Sequence, residues 1–122
     1  MQYLLVIYDN PEYWARVGEA QMDATMRRHG EISDDLKKAG KFGGCGALMP
    51  PASATCVRRS GDKTTITDGP YAETKEQLGG YYLVEARDLN EAIAIAARIP
   101  GARYGAIEVR PIPAMTGAAR PA

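Results

Sequence analysis

His29 is the one histidine of the chain, and imidazole is the only side chain whose ordinary pKa lies near neutrality. Facing a cleft, with a carboxylate to tune it, it would act as a general acid or base. As a half-buried ring in a helix–sheet contact it would carry no chemistry. Asp34 and Asp35 follow it at i+5 and i+6 and do not share its helix face well. Asp68 opens the segment Asp68-Gly69-Pro70. Its carboxylate either sits at a strand end at the mouth of a cleft, or caps the turn by accepting from backbone N–H groups. The two roles are compatible, and His29 with Asp68 are the candidate catalytic residues.

Just beyond lie Tyr71, Glu73, Lys75 and Glu76. Three charges in four residues on a loop could clamp a polar ligand, or form a solvated, ion-paired surface of little energetic weight. Together with Arg110, which could hold an anionic group, they make the candidate binding set. Tyr8, Trp14, Tyr81 and Tyr82 could wall a pocket or fill a core or dimer interface. Glu85 and Glu108, with Arg110, either pair across strands or titrate abnormally inside a barrel. Cys45 sits among glycines with no neighbouring cation or base in sequence and reads as an inert thiol. Gly43, Gly44 and Gly46 lack the Gly-Lys-Ser/Thr sequence of a phosphate loop. Cys45 and Cys56 have no CxxC spacing, and with one histidine a Cys/His zinc site would need carboxylates to complete it. No metal or cofactor is expected.

These residues need elements to place them. Residues 3–8 (YLLVIY) predict a strand with two apolar faces, Tyr3/Leu5/Ile7 and Leu4/Val6/Tyr8. Asn10 and Pro11 are a cap and first residue for a helix. A helical pattern then runs over 11–39, with Trp14, Val17, Met22, Met26, Ile32, Leu36 and Ala39 on one side. Gly30 is expected to break or bend it, Gly40 to end it, and His29 to project from the middle of its apolar stripe. A short glycine-rich strand or bulged edge follows at 41–51, then a hairpin over 53–59 and 63–67 turned at Ser60-Gly61-Asp62. Residues 79–86 (GGYYLVEA) form a second strong strand, with Tyr82 and Val84 facing one way and Tyr81, Leu83 and Glu85 the other. Asp88 and Glu91 resemble a capping box for a helix to about Arg98. Its stripe is Leu89, Ala92, Ile93, Ala96 and Ala97, and Ile99-Pro100-Gly101 stops it. A last strand covers 105–110, and the tail from residue 113 is expected to fray.

Without the hairpin the order is βαββαβ, a ferredoxin-like α+β protomer. Its two helices can cover only one face of a sheet whose strands are apolar on both. A second copy packed sheet to sheet about a two-fold axis would cover the other, giving a dimeric α/β barrel. A monomer would have to hide that face under the 41–53 loop.

The chain's 122 residues suit one domain and can bury roughly 65% of the unfolded surface. Hydrophobic residues at 45% and charged residues at 25% argue against disorder. Fifteen basic and fifteen acidic side chains leave no net charge, so direct nucleic-acid binding and an anionic-membrane anchor are not expected. The longest clean apolar run, Leu4 to Ile7, is far short of a membrane span, and the N-terminus does not read as a secretory signal. A cytoplasmic location is the default.

The stretch from Asp68 to Pro100, with GAIEVRP after it, resembles the DGPF-motif family of the YCII-related superfamily. The motif runs Asp68-Gly69-Pro70, then Glu73, Lys75 and Glu76, then Gly79-Gly80-Tyr81-Tyr82; Tyr71 stands where the family usually has Phe. The MQYLLVIYDNP opening and the GALMPPASATCVR segment fit as well, so the resemblance covers residues 1–112. It implies a dimeric α/β barrel and a genomic context beside extracytoplasmic-function sigma factors. Some superfamily relatives carry a His–Asp pair in a pocket and look like enzymes of the muconolactone-isomerase type. His29 cannot be matched to that histidine by a local motif.

Two functions are therefore expected. The first is a homodimer that binds a small ligand or regulates, with no chemistry of its own or little. The alternative is a cofactor-free isomerase or lyase acting on a small polar or aromatic metabolite through His29 or Asp68.

Overall fold

A computed structural model describes residues 1–114; the tail expected from residue 113 lies, from residue 115 onward, outside the described residues. The chain runs β1 (Gln2–Asp9), α1 (Pro11–Arg16), α2 (Glu19–Lys38), β2 (Phe42–Ala47), β3 (Thr55–Ser60) and β4 (Lys63–Asp68). It continues through β5 (Gln77–Glu85), α3 (Leu89–Arg98), α4 (Gly101–Tyr104) and β6 (Ala106–Ile112). Four strands form an antiparallel sheet ordered β2-β5-β1-β6, while β3 and β4 pair only with each other as a separate ribbon. With the ribbon set aside, this is the expected ferredoxin-like α+β arrangement.

The alternation along β1 and β5 decides what the helices cover. Tyr3, Leu5 and Ile7 join Tyr82 and Val84 with Ile32 and Leu36 of α2 and Ala92, Ile95, Ala96 and Ile99 of the α3 region in one buried cluster. Leu5, Ile32 and Val84 are fully enclosed, and each such side chain contributes about 1.5–3 kcal/mol of transfer free energy. Lys41 Nζ donates to Glu91 Oε1 at 2.6 Å, tying the start of β2 to α3. The opposite face carries Leu4, Val6 and Tyr8 beside Tyr81 and Leu83, and no helix lies over it. β6 is a sheet edge, so Pro111 costs no ladder bond on its outer side.

Several local expectations need correction. The pattern over 11–39 is two helices, interrupted at Val17 and Gly18, and Gly30 lies inside α2 without breaking it. A Cβ at Gly30 would meet nothing within 4 Å, so that glycine is exposed and permissive. Met22, Met26 and Trp14 belong to a cavity wall, not to the core built by Ile32 and Leu36. On α3, Leu89 and Ile93 are about half exposed, while Ile95 and Ile99 are buried. Ala92, Ile95, Ala96 and Ile99 keep the same i, i+3, i+4, i+7 spacing as the expected stripe, so periodicity alone does not choose between the two faces. Pro100 ends α3 but opens one further helical turn, α4. There Gly101 sits against β1, since a Cβ on it would come 2.9 Å from Ile7 Cγ2.

Candidate functional site

The sheet and the two first helices do not close completely on each other. A cavity of about 680 Å³ remains between α1, α2, the end of β1, and the β2–β5 edge. Its wall is largely apolar and includes Met22, Met26 and Met49, three of the chain's five methionines, with Leu48, Pro50 and Leu78. Met26, Leu48, Met49 and Leu78 are exposed at its rim.

Two polar pairs sit in this wall. In the first, His29 Nδ1 lies 2.6 Å from the Tyr82 hydroxyl, with the rings nearly parallel at 5.7 Å. α2 brings His29 to the sheet because it continues unbroken past Gly30, and β5 presents Tyr82 on its helix-covered face. Burial holds the imidazole below its ordinary pKa, so it is neutral at pH 7. Burial also pushes the Tyr82 phenol up. With the proton on Nε2, Tyr82 donates to Nδ1 and an N–H is left over. With the proton on Nδ1, Tyr82 accepts and a lone pair is left over. In both tautomers Nε2 is unpaired among the described residues and not sealed in protein, and the His29 side chain lines the cavity.

The second pair is Asp9 and Trp14. Trp14 Nε1 donates to Asp9 Oδ2 at 2.6 Å across the turn capped by Asn10, whose side chain accepts from Glu12 N at 2.9 Å. Half-burial raises the Asp9 pKa, the Trp14 bond lowers it in part, and the Glu76 carboxylate nearby adds to the rise. Gly79 makes room for this carboxylate: a Cβ there would lie 2.9 Å from Asp9 Oδ1. α1 is pinned in place by Tyr13, whose ring stacks on Tyr104 of α4 at 4.6 Å.

The residues singled out from sequence do not assemble into one site. His29 lines the cavity, whereas Asp68 ends β4, exposed, and does not line it. The Gly69 N–H beside it donates to Ala54 O at 2.7 Å, closing the base of the ribbon. Gly69 has φ +105°, a backbone state that favours glycine. Tyr71 is fully out in solvent with the Arg58 guanidinium over its ring at 5.6 Å. Glu73 and Lys75 are exposed on the loop before β5, and only Glu76 reaches the cavity's surroundings, through Asp9. Arg110 lies on the uncovered sheet face, 3.6 Å from Glu108. Glu85 instead pairs with the N-terminal ammonium of Met1. Cys45, paired in register with Tyr82, lines the cavity with its Sγ 3.9 Å from Ser33 Oγ.

Sequence reasoning missed Asp9 as a site residue because the Asp-Asn-Pro-Glu run fully accounts for it as a turn. The signal that could have found it is Trp14, five residues on, whose indole N–H needs a partner when half-buried. Among the described residues no three His, Cys, Asp or Glu side chains converge as a metal site. Among the described residues no helix is long and apolar enough to cross a membrane.

An uncharacterised protein of Rhizobium meliloti is 33% identical over 114 residues, covering 92% of both chains. The model of the YCII-related domain matches residues 1–116, which takes in the sheet, its helices, the ribbon and both polar pairs of the cavity. The chain belongs to the YCII-related domain family.

Proposed function

We propose that the protein acts as a homodimer that holds a small, largely apolar molecule in the cavity, with the His29–Tyr82 pair bonding one polar group on it. The observation that carries this reading is the cavity of about 680 Å³ with an apolar wall and two fixed polar pairs. Small-molecule sites have this form: area for affinity, and a few placed polar groups for orientation. The partner subunit is a second copy set against the uncovered sheet face. A cytoplasmic regulatory setting beside sigma factors, as the family resemblance implies, would take such a molecule as its signal. The zero net charge gives no support to direct contact with nucleic acid.

A second reading, a cofactor-free isomerase or lyase, is favoured by one observation. A neutral imidazole held by a phenol, with its second nitrogen unpaired and its side chain lining an apolar cavity, is suited to moving a proton. Because Asp68 does not line the cavity, the carboxylate available to that chemistry is Asp9.

Native mass spectrometry of freshly purified protein tests the main proposal. The expected result is a dimer mass with one small organic molecule retained per chain. A dimer that stays bare, and whose tryptophan emission does not respond to phenylbutanol, overturns the ligand. A bare monomer overturns the dimer.

A further inference from the structure

The class of ligand follows from which charges the cavity carries. Asp9 and Glu12 line it, and among the described residues no Lys or Arg does. Glu76 lies close enough to Asp9 to act on it through space. Arg16 of α1 stands outside the lining beside Glu12, and other basic side chains are engaged or placed elsewhere. Arg110 is beside Glu108, Lys41 beside Glu91 and Arg98 beside Asp35, while Lys75 is exposed outside the lining. Asp9 therefore has one donor, the Trp14 indole N–H, and no ion-pair partner among the described residues.

A carboxylate held half out of water without a counter-ion is costly, and an ammonium group brought to it offsets that cost. The indole of Trp14, in the same wall, adds an aromatic surface that favours a cation. An anion in the same place would meet Asp9 and Glu76, since among the lining carboxylates it is Glu12 that has a cation beside it, the exposed Arg16 at 3.9 Å. At the other polar pair, neutral His29 and Tyr82 offer hydrogen bonds and no charge. The same wall carries the methionines, whose flexible thioethers fit apolar bodies of varied shape.

We propose that the cavity selects an amine-bearing, otherwise apolar molecule, its ammonium on Asp9 and its apolar body along Met22, Met26 and Met49. This rests on the cavity being a ligand site, and adds the charge and orientation of the ligand. It runs against the sequence expectation that Arg110 or Lys75 holds an anionic group.

Three probes that share one body and differ in head group test it: phenylbutylamine, phenylbutanol and phenylbutyrate. Trp14 is the only tryptophan in the chain and lines the cavity, so its emission reports occupancy, with calorimetry as a second readout. The amine is expected to bind about tenfold tighter than the alcohol, as one charge-assisted bond supplies, with phenylbutyrate weakest. Asp9→Asn keeps an oxygen for the Trp14 N–H. It is expected to erase the amine's advantage and leave phenylbutanol within about twofold. The wild-type ranking needs no variant to fold. If phenylbutyrate matches the amine, the amine binds no tighter than the alcohol, or its advantage survives Asp9→Asn, the proposal is overturned while the cavity reading stands. If none of the three moves Trp14 emission or releases heat, the cavity reading itself falls, and the proposal with it.

Discussion

Asp9 is a carboxylate that the fold half-buries with one hydrogen-bond donor, the Trp14 indole. Half-burial raises its folded-state pKa above 3.8, so the folded protein disfavours the ionised carboxylate that the unfolded chain carries freely at neutral pH. Such a group destabilises the fold above its raised pKa, and the penalty fades as pH falls through that value towards 3.8. Asp9→Asn removes the charge and keeps an acceptor for Trp14. The variant is expected to be more stable at pH 7, by up to about 1 kcal/mol after discounting for the solvated half of the group, or roughly 1–4 °C in Tm. Thermal unfolding at pH 7 and at pH 3.5 checks it: the gain should be present at the first and nearly absent at the second. A variant less stable at pH 7 would mean that Asp9 is held for the fold. At this scale the sequence was partly legible. His29 stood out as a lone imidazole, and Tyr82 as a strand aromatic, but their bond spans 53 residues and depends on how α2 crosses β5. Asp68 stood out for its motif, yet it lies exposed at the end of β4 and outside the cavity lining.

Elements defined by local chemistry were the most legible. Asp88 accepts from Glu91 N at 2.9 Å and Glu91 Oε1 accepts from Arg87 N at 3.1 Å, so the expected cap forms with its reciprocal contact close to the expected form. Asp88→Ala is expected to cost about 1 kcal/mol in denaturant unfolding, with the midpoint shifted and the slope unchanged. A cost near zero would show that the Lys41–Glu91 contact alone fixes the start of α3. Break points that depend on distant packing were less legible. Gly30 looked like a helix breaker because glycine lowers helix propensity, yet the burial of Ile32, Ser33 and Leu36 on one side carries α2 through it. The interruption falls instead at Val17 and Gly18, where α1 turns to stack Tyr13 on Tyr104. That aromatic contact holds α1 against α4, and it joins residues 91 apart in sequence, beyond the reach of any helical pattern.

For the whole molecule, the uncovered sheet face is the unsolved packing problem. Leu4, Val6 and Tyr8 of β1 stand beside Tyr81 and Leu83 of β5, and Tyr81 is 39% exposed. The two margins of this apolar strip are polar: Glu108 with Arg110 on β6, and Glu85 with the N-terminal ammonium on β5. An apolar centre with a polar rim is the anatomy of a protein interface. The alternation of β1 and β5 makes that face legible in sequence, but the helical residues of the core cluster all pack on the other one among the described residues. The segment after β2, which could have folded over it, instead lines the cavity through Leu48, Met49 and Pro50. A second copy packed about a two-fold axis would bury the same strip on both subunits, and a standard interface takes about 800 Å² from each. Leu83→Glu tests this most directly. Leu83 is partly buried, on the face away from the helices, so a carboxylate there can remain solvated in a free protomer. In a sheet-to-sheet dimer it would be buried against its own symmetry mate's apolar strip, where an unpaired charge costs several kcal/mol. The expected result is a folded monomer by sedimentation, with wild-type circular dichroism, where the wild type sediments as a dimer. A variant that stays dimeric would place the interface elsewhere, and the exposed Val57–Ile66 pair of the ribbon would then be the next surface to charge.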